Sequence, residues 1–335
     1  MKQKRLSGLA VGRLSAFFFL ICLSAYLLNR SPSWAAFSSR DRGTSGAQFL
    51  KIPAGARAAA MGGAFSSVAN DATAAYWNPA GLGQISKREL VASHNNFPSF
   101  YRYSYLSFAQ PLSYSRFTFG FSFTSLEHQA IQKIDNTETA FGRFAPSDQS
   151  YCISLTRPIG DGSWALGASE KWIFQGIDGE TAKAIAFDVG LLRRVKAFAF
   201  SLTADNIGQR VQLRQASAPL PLTFKTGLSY RLAPEADQAG LPAGIASLDL
   251  VVARDNDPAW HAGLERWAEI GPFRQIPLYM AFRAGFRTET ARPGEYFDGL
   301  TAGIGLQWGS LSLDLAVQPS SQLGHSYQLG IRVKI

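Results

Sequence analysis

From about residue 88 onward, apolar residues alternate with small or polar ones. In "RFTFGFSFT", Phe117, Phe119, Phe121 and Phe123 share one face, and Thr118, Gly120, Ser122 and Thr124 share the other. "GLTAGIGLQW" sets Leu300, Ala302, Ile304, Leu306 and Trp308 against Thr301, Gly303, Gly305 and Gln307. "SLSLDLAVQ" sets Leu311, Leu313, Leu315 and Val317 against Ser312, Asp314, Ala316 and Gln318. Successive side chains of a strand point to opposite faces, so each segment predicts a strand with one apolar and one small-polar face. Fourteen such segments fall at 88–94, 101–110, 114–125, 149–157, 163–174, 183–193, 197–206, 221–231, 245–254, 259–268, 277–287, 299–308, 310–318 and 325–335. Turn-like stretches join them, among them "PIGDG", "RRVK", "DNDPA", "RPGEYFDG" and the pair Gly309-Ser310.

Two architectures accommodate this pattern. A soluble sandwich of strands turns its apolar faces to an internal core. A transmembrane barrel turns them to lipid and keeps a polar lumen. The polar faces are made of Gly, Ser, Thr, Ala and Gln, with few of the Lys and Glu residues common on soluble sheets. A tilted strand of about 9–11 residues also suffices to cross a bilayer. Tyr101, Tyr103, Trp164, Trp172, Trp260 and Trp308 lie near segment ends, as interfacial girdles require. The expected fold is therefore all-β: a transmembrane antiparallel β-barrel of about 14 strands, with an N-terminal hatch segment inside the lumen. The even strand number sends both barrel ends to one side. The last segment, "HSYQLGIRVKI", alternates through Tyr327, Leu329, Ile331 and Val333 to Ile335, and resembles the closing strand of outer-membrane barrels. Apolar residues make up 46% of the chain, yet after residue 35 none of them gather into an 18-residue run, which excludes a helical membrane protein.

Three places resist the pattern. Glu170 falls on the apolar face with Trp164, Leu166 and Trp172, and a bulge between Ala168 and Trp172 would carry it inward. The 259–268 strand breaks alternation where Arg266 adjoins Trp267, and 232–244 is a long stretch for a turn on the short-turn side.

The first 35 residues have another character. Lys2, Lys4, Arg5 and Arg13 precede the apolar run Leu14 to Leu28, and Ser33-Trp34-Ala35 follows with small residues at the two positions a signal peptidase reads. The run is short for a membrane anchor, and residues 1–35 are expected to be a cleaved signal peptide. Cys22 does not make a lipoprotein site, because bulky Ile21 precedes it and the apolar run continues past it. Residues 1–35 hold five cations (Lys2, Lys4, Arg5, Arg13, Arg30) and no anion, so the net charge of +9 falls to +4 on cleavage. The basic balance then gives no argument for a nucleic-acid partner. Cys152 is the one cysteine left, so no intramolecular disulfide forms.

Residues 36–87 do not alternate. "MGGAFSSVANDATAAYWNPAGLG" (61–83) is rich in Ala and Gly, which lets backbone lie close to a wall, and its Met61, Phe65, Val68, Tyr76 and Trp77 call for burial. We read 36–87 as a hatch folded into the mouth of the 88–335 barrel, since a lumen this wide would leak if left empty. Asp71 is expected to cap a short helix through Tyr76, which Pro79 ends. "FLKIPAGARAAAMGGAFSSVANDATAAYWNPAGLGQI" (Phe49 to Ile85) resembles the N-terminal signature of the PorV/PorQ family of outer-membrane barrels, which is in turn similar to FadL-type transporters of long-chain fatty acids. The stretch "HAGLERWAE…LYMAFRAGFRTE" (261–289) also resembles the paired-strand signature of these barrels, though Arg266 stands where an aromatic residue is more usual. The resemblance implies a fourteen-stranded barrel in an outer membrane, with Asn78, Pro79, Ala80 and Gly81 as the hatch turn and Met61, Gly62 and Gly63 packing before it. It further implies either passage or binding of hydrophobic and amphipathic compounds, or, in PorV-like members, reception of cargo proteins for type IX secretion.

Catalytic chemistry is not visible. His94, His128, His261 and His325 make no metal spacing; His261 and Glu265 share a face but lie about 13 Å apart along a strand. No nucleophile elbow occurs, and no enzyme, metal or cofactor is expected. Cys152 shares a face with Ser154 and Thr156 and reads as a lumen residue. Alternation points Arg283, Arg287, Arg332, Lys334, Asp188, Asp249 and Asp314 into the lumen, either to pair with one another and the hatch or to form a charged wall beside a ligand path. The expected partners are outer-membrane lipids, a hydrophobic ligand, and secretion-system or cargo proteins, but not nucleic acid. The 126–148 loop, with Ile131, Ile134, Phe141 and Phe144, is the expected capture site.

Overall fold

The computed structural model describes residues 39–97, 101–112, 115–136, 139–232, 244–291, 297–320 and 324–335. The leader at 1–35 and most of the 232–244 stretch lie outside the described residues. The strands, in chain order, are β1 (Glu89–Phe97), β2 (Tyr101–Leu112), β3 (Phe117–His128), β4 (Ile131–Ile134), β5 (Ala140–Phe144), β6 (Ser147–Ile159), β7 (Trp164–Ile177), β8 (Glu180–Val195) and β9 (Phe198–Gly208). They continue with β10 (Val211–Leu213), β11 (Ala216–Ala218), β12 (Thr223–Leu232), β13 (Gly244–Ala253), β14 (Ala259–Phe273), β15 (Ile276–Arg287), β16 (Leu300–Trp308), β17 (Leu311–Gln318) and β18 (Ser326–Lys334).

Fourteen of these close into one barrel, and β4–β5 and β10–β11 form two separate hairpins. Each barrel strand pairs antiparallel with its neighbours. Closure comes from β1, which pairs with β2 on one side and β18 on the other, so Glu89 faces both Ala109 and Lys334 across the ladders. A closed ladder satisfies every strand's N–H and C=O groups without an edge, which is the condition for crossing lipid with strands. No helix among the described residues is long and apolar enough to cross a membrane.

Alternation sets the two surfaces. Outward-facing Leu202, Leu264 and Leu329 are more than half exposed, while inward-facing Ser107, Thr156 and Ser154 are fully enclosed. An apolar outside and a polar inside is the transmembrane type of barrel. All fourteen segments expected from the sequence are present, several of them longer; β8 spans 16 residues and β14 spans 15. Tight turns at 160–163, 196–197 and 309–310 lie at the end that holds Glu89 and Lys334. The β4–β5 and β10–β11 hairpins and the 254–258 loop lie at the other end.

Five local expectations need correction. Glu170 does not turn inward. The ladders run without a bulge through Ile153, Glu170 and Phe187, and the next residue, Lys171, is the one inside, 2.7 Å from Asp188. Tyr103 is not an interfacial residue: it shares inward parity with Tyr105, is fully buried, and its hydroxyl donates to the Ile52 carbonyl at 3.1 Å. Strand β14 keeps its alternation, with Trp267 inside and Arg266 outside; the register shift comes later, between Glu269 and Gly271. Asp71 does not cap a helix directly. Its carboxylate accepts from the Thr73 N–H at 3.0 Å, forming a turn one step before the helix at Ala74–Trp77. The 126–148 stretch is not an open loop but the β4–β5 hairpin, whose "IQKI" and "AFGRF" strands carry no alternating face to announce them.

Candidate functional site

Residues 49–82 run inside the barrel, most of them buried, and the flanking residues reach its two ends. The segment holds two short helices, α1 (Ala56–Ala60) and α2 (Ala74–Trp77), with 3-10 turns at Gln48–Lys51 and Pro79–Gln84. Helices this short have little intrinsic stability, so their shape comes from what surrounds them. Side-chain size explains how they fit. Every residue of α1 is buried, and its alanines let the helix lie against β15 to β18. Opposite the segment the wall carries glycines. A Cβ on Gly285 would strike the Gly62 nitrogen and the Met61 carbonyl carbon, and one on Gly167 would strike the Pro79–Ala80 peptide. Gly62 and Gly63 turn the chain with φ of 65° and 73°, a region L side chains rarely adopt.

An irregular buried backbone must find partners for its polar groups. The wall supplies them. Asp249 accepts from the Phe65 and Ser66 N–H groups at 3.1 and 2.9 Å. Thr301 donates to the Ala60 carbonyl at 2.9 Å, Ser247 to the Ala64 carbonyl at 2.7 Å, and Thr156 to the Pro79 carbonyl. Glu89 accepts from the Ala72 N–H at 2.9 Å.

The turn residues sit on β6 to β8. The Asn78 amide oxygen accepts from the Ala80 N–H at 3.0 Å, and its nitrogen donates to the Ser66 carbonyl at 2.9 Å, which ties the turn to the chain twelve residues earlier. Pro79 opens the 3-10 turn, Ala80 is fully buried, and a Cβ on Gly81 would overlap the Ala69 carbonyl. Asn78→Ala removes these bonds, and a longer one to the Leu191 carbonyl at 3.4 Å, from a fully buried site, at about 1–3 kcal/mol for the groups left unpaired. The expected result is faster hydrogen exchange confined to residues 66–82, with Asn78→Asp intermediate because it still accepts from Ala80 but donates nothing to Ser66. Equal exchange in all three proteins would exclude the tie.

A buried charge chain holds the middle of the segment. Arg57 gives two parallel bonds to Glu265, both 2.8 Å, and a third at 3.0 Å to Asp71. Arg283 donates at 2.7 Å to the same Glu265 Oε2 that Arg57 Nε bonds, and to Asp314 at 2.7 Å. Arg332 lies 3.7 Å from Glu89 and 3.9 Å from Asp71. Of the seven lumen charges expected from the sequence, Arg283, Asp314 and Arg332 thus gather around this chain, while Asp188 pairs with Lys171, Asp249 holds segment backbone and Lys334 lies at the turn end. Arg287 stands apart, bonded to Gln318 at 3.0 Å. Sequence reading missed Arg57 and Glu265. Arg57 is the only charge between Lys51 and Asp71, a rarity in so apolar a stretch, and Glu265 has the inward parity of His261.

At the loop end, a cavity of about 230 Å³ opens between segment and wall. Leu50, Tyr76 and Trp77 line one side and Thr223, Val251, Ala259, His261 and Arg287 the other. The Lys225 ammonium, paired with Asp205 at 2.8 Å, lies 5.6 Å from the Tyr76 ring centre and 5.2 Å from that of Trp77. Tyr76 and Trp77 are held by their polar tips, which donate to the Leu50 and Ala54 carbonyls at 3.0 and 2.8 Å. A second cavity, of about 450 Å³, lies at the turn end beside Lys87, Tyr279, Gln307 and Lys334. No group of three or more His, Cys, Asp or Glu among the described residues is arranged to hold a metal ion.

Near the loop-end cavity the segment is fastened by Asp255, in the 254–258 loop, which accepts from Gln48 at 2.6 Å and from Lys51 at 3.0 Å. Burial works against the ionised carboxyl, but these two bonds and the Lys51 charge outweigh it and hold Asp255 below the usual carboxylate range. A depressed folded value means the fastening is complete above the unfolded value of about 3.9 and weakens as pH falls through the folded one. Protease sensitivity around residues 44–52 should therefore be flat from neutral pH down to about 4 and rise only below that; loosening already at pH 6 would contradict the assignment.

Comparison with known proteins adds the following. A model of an uncharacterised protein family, UPF0164, matches residues 29–145, a stretch that takes in the inner segment and runs to the end of the β4–β5 hairpin. No curated protein matches the sequence. Among solved structures, the chain is similar to a deltaS2S3 mutant of TodX, a monoaromatic hydrocarbon channel (12% identity, TM-score 0.47, 83% of this chain and 96% of that one). It is also similar to a FadL homologue from Pseudomonas aeruginosa (12% identity, TM-score 0.46, 82% and 96%) and to the outer membrane protein Omp33 of Acinetobacter baumannii (8% identity, TM-score 0.40, 74% and 98%).

Proposed function

We propose that this chain is an outer-membrane barrel of a Gram-negative-type envelope, exported by a signal peptide at 1–35, in which residues 36–87 are a hatch that gates passage or binding of hydrophobic and amphipathic compounds. The observation that carries the reading is the seating of the inner segment. It lies between a cavity at the loop end and another at the turn end, and it is held largely by discrete hydrogen bonds and ion pairs with the wall. Such bonds can be exchanged for others, so a seat of this kind can be vacated without unfolding the barrel. The loop-end cavity supplies what an amphipathic compound needs, an aromatic side at Tyr76 and Trp77 with a few polar groups to orient it. The resemblance of Phe49 to Ile85 to the PorV/PorQ and FadL-like signature supports the same reading.

The test is reconstitution into liposomes. The full-length protein should exclude sugars and ions yet speed transfer of a lipophilic probe, while a form lacking residues 49–85 should leak both. A full-length barrel freely permeable to sugars, or a deletion that changes nothing, would overturn the hatch. A second reading, in which the barrel receives exported cargo proteins for type IX secretion, is favoured by one observation: Ile134 and Phe141 of the β4–β5 hairpin are 60% and 64% exposed at the loop end. Mass spectrometry of what co-purifies with the barrel in detergent separates the two, as small lipophiles or as proteins.

A further inference from the structure

One corner of the loop-end cavity is chemically more specific than the rest. His261 on β14 and Arg287 on β15 are direct cross-strand partners, both facing inward and both lining the cavity. Such a pair holds its Cβ atoms about 5 Å apart, so the two side chains work on the same volume. His261 is more than nine-tenths buried. Its Nε2 lies 2.9 Å from a Glu289 carboxylate oxygen. A carboxylate only accepts, so in the neutral ring Nε2 carries the proton and Nδ1 is left as a bare acceptor. That Nδ1 is buried and has no partner, and neither has Nε of Arg287. The inner segment keeps the space open: it passes His261 with Gly63, where a Cβ would crowd Nδ1 at 3.2 Å. Buried polar atoms are nearly always bonded, so an unpaired acceptor and an unpaired donor on register partners that line one cavity mark a position for a ligand atom.

We propose that this corner binds the hydroxyl group of a small neutral compound, a phenol or comparable apolar alcohol, whose body lies along Tyr76 and Trp77. A hydroxyl answers both vacancies with one atom: its O–H donates to His261 Nδ1 and its oxygen accepts from the Arg287 Nε–H. A hydrocarbon answers neither. A carboxylate has no hydrogen to give Nδ1 and would sit beside the charge of Glu289. The volume of about 230 Å³ is below the range of drug-sized sites, which selects a compact molecule over a long chain. The proposal rests on the reading of this cavity as a binding site for apolar compounds and names the class it takes.

The experiment is a titration of the full-length protein in detergent, followed by tryptophan fluorescence, with three probes that share one ethylphenyl body: 4-ethylphenol, ethylbenzene and 4-ethylbenzoate. The phenol should bind about tenfold or more tightly than either of the others, the effect of two hydrogen bonds in a buried site. His261→Phe should erase the preference for phenol over hydrocarbon, and Arg287→Met should reduce it without touching the imidazole. Equal binding of phenol and hydrocarbon, or a preference that survives both substitutions, overturns the hydroxyl site while leaving a cavity for apolar compounds intact. Tightest binding of the benzoate overturns it in favour of an anion site. If none of the probes binds, the hydroxyl site is refuted, and the liposome measurement then judges the hatch on its own.

Discussion

Glu265→Gln is expected to loosen the inner segment by about 3–5 kcal/mol, the cost of leaving a buried charge uncompensated. Glu265 receives both parallel bonds of Arg57 and the Nε bond of Arg283, and all three side chains are nearly inaccessible. Glutamine keeps the shape and removes the charge. Arg283 retains Asp314, and Arg57 retains Asp71, each with one carboxylate where there were two. Opening of residues 44–87 should rise more than a hundredfold, since each 1.4 kcal/mol is a factor of ten, and limited proteolysis of the segment reads it directly. The barrel should persist, because its ladders and outward belt do not involve this contact. Arg57→Met combined with Glu265→Leu should recover much of the loss: a buried pair replaced by apolar groups of similar volume is often neutral. A double variant that is as loose as Glu265→Gln would show that the pair does more than neutralise its own members.

Gly167→Val should displace the turn at Asn78 to Gly81 and, if that segment closes the barrel as proposed, open the lumen. The strand itself tolerates valine, which has high β propensity. The clash is with the Pro79–Ala80 peptide, and backbone cannot move aside as the end of a flexible side chain can. Overpacking at a tight site costs about 1–3 kcal/mol or more, and here relief is available by moving the turn. Gly285→Val should do the same at the other side of the segment, against Met61 and Gly62. In planar bilayers either variant should conduct where the parent is closed, while heat-modifiable mobility remains. Leu202→Val, on the outward face of β9 and 54% exposed, should stay closed. Closed Gly167→Val and Gly285→Val barrels of normal stability would mean that the turn does not seal the lumen.

The site was only partly legible beforehand. Asn78 to Gly81 and Met61 to Gly63 were visible because Gly, Asn and Pro have strong local preferences, and the structure places them on opposite walls, against β6 to β8 and β14 to β15. Tyr76 and Trp77 were expected only to be buried; that their rings border a cavity beneath Lys225 depends on β12, some 150 positions away. Arg287 carried the same inward parity as Arg283 and Arg332 but lies toward the loop end of its strand, so it belongs to the cavity and they belong to the charge chain. The parity of a residue states which face it takes. Its height along the barrel, and so its partner, follows from register.

By itself the sequence determined the number of barrel strands, the face most of their residues take and the need of residues 36–87 for cover. These follow from a period of two and from burial preferences that act residue by residue. Tertiary structure alone decided the pairing of Arg57 with Glu265, the matching of wall glycines to segment backbone and the two unpaired atoms left at His261 and Arg287. Such contacts join residues as much as 275 positions apart, as Pro53 and Gln328 are, and ladder register and barrel closure, which no local pattern encodes, bring them together.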